Sequence, residues 1–114
     1  MLILKRHIGE HIFIDSPEGR IILTLTGIDA GRREVTVMRY DYWSEFCASY
    51  TIREEHLQRA EHYMLKAIGI LPTLITFGVY CDRSINIVRG ELAPGWTPPG
   101  GFPKYIRDMS LQKS

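Results

Sequence analysis

Arg20-Ile21-Ile22-Leu23-Thr24-Leu25-Thr26-Gly27-Ile28 alternates in character. Ile21, Leu23 and Leu25 fall on one face, Thr24 and Thr26 on the other. A period of two marks a half-buried β-strand, whose side chains point to opposite faces in turn. Before it, Asp15-Ser16-Pro17-Glu18-Gly19 is a dense turn cluster, and His11–Ile14 is a short β-prone run. Gly9 allows a further turn, and Leu2–Leu4 is β-prone again. After it, Asp29-Ala30-Gly31 turns the chain and Val35–Met38 forms a fourth strand, with Val35 and Val37 on one face. The aromatic stretch Tyr42–Phe46 has no clear period, and Ser49–Thr51 closes the series as a short strand. This half of the chain reads as a meander of short antiparallel strands.

The next segment changes period. Thr51-Ile52-Arg53-Glu54 has the form of a capping box, with Thr51 as N-cap and Glu54 reaching back. Behind it Leu57, Ala60, Met64 and Ile68 recur at spacings of three and four, which predicts a helix. Gly69 would cap it and Pro72 would stop it. Beyond, Leu74–Tyr80 and Ile85–Val88 predict a hairpin within 73–89. From Gly90 onward Pro and Gly dominate, so 90–114 is expected to be an irregular tail with a polar end. The expected fold is mainly β: short antiparallel strands with one helix in a domain at 1–69, and an extension at 70–114.

The composition fits one globular domain. The chain has 114 residues, 45% hydrophobic and 24% charged, with a formal net charge of +1. Bulk charge therefore does not draw it to nucleic acid, and any such site must be a local patch. Cys47 and Cys81 lie far apart without a CxxC partner, too few for a disulfide scaffold or a four-cysteine zinc site. Both are expected to be reduced thiols of a cytoplasmic protein. The start reaches a charge at Lys5, which does not fit a signal peptide. The longest apolar stretch, Ile68–Tyr80, is broken by Pro72 and too short to span a bilayer as a helix.

Catalytic patterns are weak. His7, Glu10 and His11 form H-x-x-E-H, a zinc-protease spacing only on a continuous helix, and Gly9 argues for a turn there. His56 and His62 are six apart, share no helix face, and read as surface residues. Cys47 has no identifiable base, and no P-loop, GxGxxG or GxSxG is present. The expectation is a non-enzyme without cofactor or metal. The basic run Lys5-Arg6-His7 suits either a guarded edge strand or a contact to nucleic acid.

Two motifs shift that balance. Met1-Leu2-Ile3-Leu4-Lys5-Arg6-His7-Ile8-Gly9-Glu10 resembles the M-L-I-L-x-R-x-x-G-E opening of the CsrA/RsmA family of post-transcriptional regulators. Thr51-Ile52-Arg53-Glu54-Glu55-His56-Leu57-Gln58-Arg59 is similar to the family's V-x-R-E-E-I-x-x-R, at the end of its last strand. The resemblance covers residues 1–60. It implies a strand-exchanged homodimer, with the first strand of one subunit beside the last strand of the other. That composite edge binds messenger RNA carrying GGA in a hairpin loop. Carried over by position, the RNA-binding residues would be Leu4, Lys5, Arg6 and His7 on the first strand and Thr51, Ile52 and Arg53 on the last. Strand backbone groups can read unstacked loop bases, while Arg offers a bidentate contact.

The sequence departs from the family in three places. Arg39–Trp43 replaces an N-A-P-like segment, Ile52 stands where the family usually has His, and the chain runs on to Ser114. The implied function is translational regulation by occlusion of the ribosome-entry site. The alternative is a protein-interaction module built on the same dimer, with a protein partner reached through the extension.

Overall fold

The computed structural model describes residues 1–81 and 85–89. Nine strands are found among them: β1 (Leu2–Arg6), β2 (His11–Ser16), β3 (Gly19–Asp29), β4 (Glu34–Asp41), β5 (Phe46–Arg53), β6 (Leu57–Arg59), β7 (Tyr63–Ile70), β8 (Ile75–Cys81) and β9 (Asn86–Arg89). They make two sheets, a four-stranded one in the order β1-β8-β7-β6 and a five-stranded one in the order β5-β4-β3-β2-β9. Every pairing within the sheets is antiparallel. No helix among the described residues is long and apolar enough to cross a membrane.

The expected meander is present from β2 to β5, where each strand pairs with the next. Strand β1 is not part of it. At Gly9, whose φ of 90° suits glycine, the chain turns from one sheet to the other. The Gly9 N–H donates to the Leu25 carbonyl at 2.8 Å, which anchors the crossing. The place beside β1 is taken by β8 of the same chain, with Leu4 opposite Phe77. The place beside β2 is taken by β9, with Phe13 opposite Val88.

The expected helix is corrected to strands β6 and β7. The stripe Leu57, Ala60, Met64 and Ile68 is only half-buried. The buried residues are Tyr63, Leu65, Ala67 and Ile70, at a spacing of two up to a register break between Ala67 and Gly69. Both periods can be read from this sequence, and cross-strand pairing with β8 selects the shorter one. Thr51 lies in β5 and caps nothing, while Glu54 turns to Arg33.

The expected hairpin at 73–89 is also corrected. Strand β8 pairs with β7 and β1, whereas β9 joins the other sheet. The actual hairpin is β7–β8, closed by the Leu71 N–H donating to the Leu74 carbonyl at 2.9 Å. The boundary expected at 69/70 falls at the end of β7, and β7's neighbour β8 lies beyond it. The tail at 90–114 lies outside the described residues.

The two sheets share one core. Ile12, Ile14, Ile21, Leu23, Leu25, Val35, Val37 and Ile52 face Leu4, Tyr63, Leu65, Ile75, Phe77 and Val79. Each fully buried Leu, Ile or Phe contributes about 1.5–3 kcal/mol. The Thr face of β3 is not half-exposed as its polarity suggested. Thr24 and Thr26 are buried, along with Phe13, Ile22 and Met38 on the five-stranded sheet. Burial is met by hydrogen bonds: Thr24 Oγ1 to His11 Nδ1 at 2.8 Å, and Thr26 Oγ1 donating to the Thr36 carbonyl at 3.2 Å.

Candidate nucleic-acid interface

Strand alternation decides what β1 can offer. Leu4 and Arg6 point inward and are 2% and 4% exposed, while Ile3 and Lys5 point outward. The Arg6 guanidinium is used internally. Its Nε donates to the His11 carbonyl at 3.0 Å and Nη1 to the Lys5 carbonyl at 2.6 Å, bracing the β1–β2 crossing. His7 is committed to the same turn. Its N–H donates to Glu10 Oε1 at 2.5 Å, and its Nδ1 lies 2.8 Å from that oxygen. His11 turns away to Thr24, and burial lowers its pKa to about 4. His7 and Glu10 of the H-x-x-E-H run therefore pair with each other, while the His11 ring bonds to Thr24.

On β5 the same rule places Ile52 in the core and leaves Thr51 and Arg53 exposed. Strands β1 and β5 are outer strands of different sheets. One chain alone therefore does not set the two motif halves side by side. Of the seven carried-over residues, Lys5, Thr51 and Arg53 are exposed and His7 partly so. Leu4, Arg6 and Ile52 are interior.

Arg53 has cationic neighbours that the sequence reading missed. A cleft of about 590 Å³ is lined by Arg32, Arg33, Glu34, Arg53 and Glu54. Arg33 is fixed there by structure. It adopts φ 55°, pairs with Glu54, and donates from Nη1 to the Ile70 carbonyl at 2.9 Å, so it clamps one sheet to the other. Arg32 and Arg53 are looser, with side chains 79% and 78% exposed and partners Asp29 at 3.8 Å and Glu34 at 3.4 Å. The available signal was the pair Arg32-Arg33 just after the Asp29–Gly31 turn. The β3–β4–β5 register carries that turn to the Arg53 end of β5.

A second cluster sits between the β2–β3 and β6–β7 turns. His62 Nε2 is 2.5 Å from Glu18 Oε2 and 4.0 Å from Glu61 Oε2. His62 was expected at the surface, yet its side chain is only 16% exposed. Cys47 and Cys81 are exposed and form no disulfide, and partial burial pushes the Cys47 thiol up. Comparison with protein-family models, with curated proteins and with solved structures returned no match.

Proposed function

We propose that this chain binds RNA as a homodimer and regulates translation or stability of messenger RNAs that carry GGA in a hairpin loop. The reading starts from the resemblance of residues 1–60 to the CsrA/RsmA family. The observation that carries it furthest is the position of Arg53. This residue, named by the second motif, shares its cleft with the equally exposed Arg32. Two such guanidiniums suit a phosphate of a looped strand. The exposed Lys5 adds a further cation on β1. As an outer strand, β1 can offer backbone groups to unstacked bases. Bound over a ribosome-entry site, the dimer would act by exclusion, without cofactor or covalent chemistry.

Filter binding of a GGA hairpin RNA at increasing salt tests this reading. Retention should fall steeply with salt and should be lost when GGA is replaced. A chain that holds neither RNA at low salt would end it. A second reading, a protein-interaction module, is favoured by β5 itself, a full-length outer strand without a charge between Phe46 and Ile52. A stable protein partner with no RNA retention would select that reading.

A further inference from the structure

Among the described residues β5 has one neighbour, β4, to which it pairs along all of Phe46–Arg53 without a break in register. Outer strands are normally guarded by a charge, a proline, a bulge or shortness. Phe46 to Ile52 has none of these guards, and Phe46, Cys47 and Thr51 are exposed. The strand's own ends indicate what fits beside it. Glu45 precedes it and Arg53 closes it. An antiparallel copy of the same strand brings Glu45, in the turn just before the strand at φ 57°, to the partner's Arg53, and Arg53 to the partner's Glu45. Strand β1 has no acidic residue to offer Arg53. A two-fold axis normal to the sheet keeps opposed side chains on one face. In that register Phe46 meets the partner's Ile52, and Cys47 meets the partner's Thr51. Phe46 is 58% exposed at the open end of an inward row that finishes at buried Ile52, and the partner's row would cover it.

We propose that two copies of this chain join edge to edge through antiparallel β5 strands, so that their five-stranded sheets become continuous and Glu45 and Arg53 pair reciprocally across the axis. This names the contact behind the homodimer of the proposed function and does not rest on RNA binding. Arg32 of the cleft has no part in the pairing, and Arg53, with five N–H donors, can meet the partner's Glu45 and a phosphate together.

The test uses the full chain with Cys81→Ser throughout. Sedimentation across a dilution series should show a dimer. Glu45→Arg and Arg53→Glu should each weaken it at least about tenfold, and the two together should restore it. Thr51→Cys treated with diamide should give a covalent dimer through native Cys47, lost again on adding Cys47→Ser. A monomer at every concentration overturns the proposal. So does a dimer that ignores both reversals and does not cross-link, as attachment through β1 or another surface would give. A β5-linked dimer that retains no RNA supports this contact and removes the RNA reading alone.

Discussion

Tyr50 on β5 and Tyr63 on β7 meet hydroxyl to hydroxyl at 3.0 Å across the two sheets. Burial pushes both phenols above their ordinary value near 10. The folded state therefore holds these protons more tightly than the unfolded chain does. Stability from the pair is complete below about pH 10 and is lost as pH rises beyond it. Urea unfolding between pH 7 and 11.5 should show that decline. The Tyr50→Phe/Tyr63→Phe protein should lose much of it, at a cost of about 1 kcal/mol near neutrality.

His11 sets the acid side. Its pKa is lowered by burial from 6.5 to about 4, so the unfolded chain binds the proton first as pH falls. Its contribution is complete above about pH 6.5 and is lost down to about pH 4, amounting to about 3 kcal/mol. His11→Gln should flatten that window in a pH series of melting temperatures. An unchanged slope would place the acid sensitivity elsewhere.

Arg39 and Arg53 should separate cleanly. Arg39 Nε pairs with Asp41 at 2.6 Å, and its guanidinium carbon lies 5.5 Å from the centre of the Tyr63 ring. Arg39→Ala leaves Asp41, itself only 8% exposed, without that partner. The expected loss is about 2–3 kcal/mol of stability with little change in RNA affinity for the folded protein. Arg53→Ala should do the reverse, weakening RNA binding by about 1.5–3 kcal/mol and loosening the β5 contact, while shifting the folding stability of the subunit by less than about 0.5 kcal/mol. Equal affinity losses for both would mean a diffuse surface.

Truncation tests the role of the late strands. A chain stopped after Gly69 loses β8 and β9, and with them the neighbour of β1 and one of the two neighbours of β2. It should aggregate, because Leu4, Leu65 and Ala67 would lose Phe77 and Val79 from their shared core. A chain stopped after Gly90 keeps the nine strands of the described residues and should remain soluble with the far-ultraviolet spectrum of a β protein.

What could be read from the sequence follows from how local each signal is. Ile21, Leu23 and Leu25 fix β3 by themselves, and the turns at 15–19 and 29–31 bind it to β2 and β4. Residues 57–70 failed because Leu57, Ala60, Met64 and Ile68 satisfy a helix while Tyr63, Leu65 and Ala67 satisfy a strand. Only β8, distant in sequence from β6, breaks that tie. The 73–89 hairpin failed for the same reason: adjacency favoured pairing β8 with β9, but β1 and β2 already waited in separate sheets. At the candidate site Arg53 was legible as a motif residue. Its neighbours Arg32 and Arg33 were not, because a register must be known before a turn can be set beside the end of another strand.

The pairing of Leu4 with Phe77 also fixes the order in which a nascent chain can finish folding. Synthesis delivers β1 roughly 70 residues before β8, and at about 5–20 residues per second the interval lasts several seconds. The meander β2–β5 can close early, through contacts between consecutive strands. Throughout that time Leu2 and Leu4 have no sheet to join, so the N-terminal segment is the part most exposed to a holding chaperone. Such long-range closure belongs to slow folders, and a refolding trace should show its final phase when β1 docks beside β8.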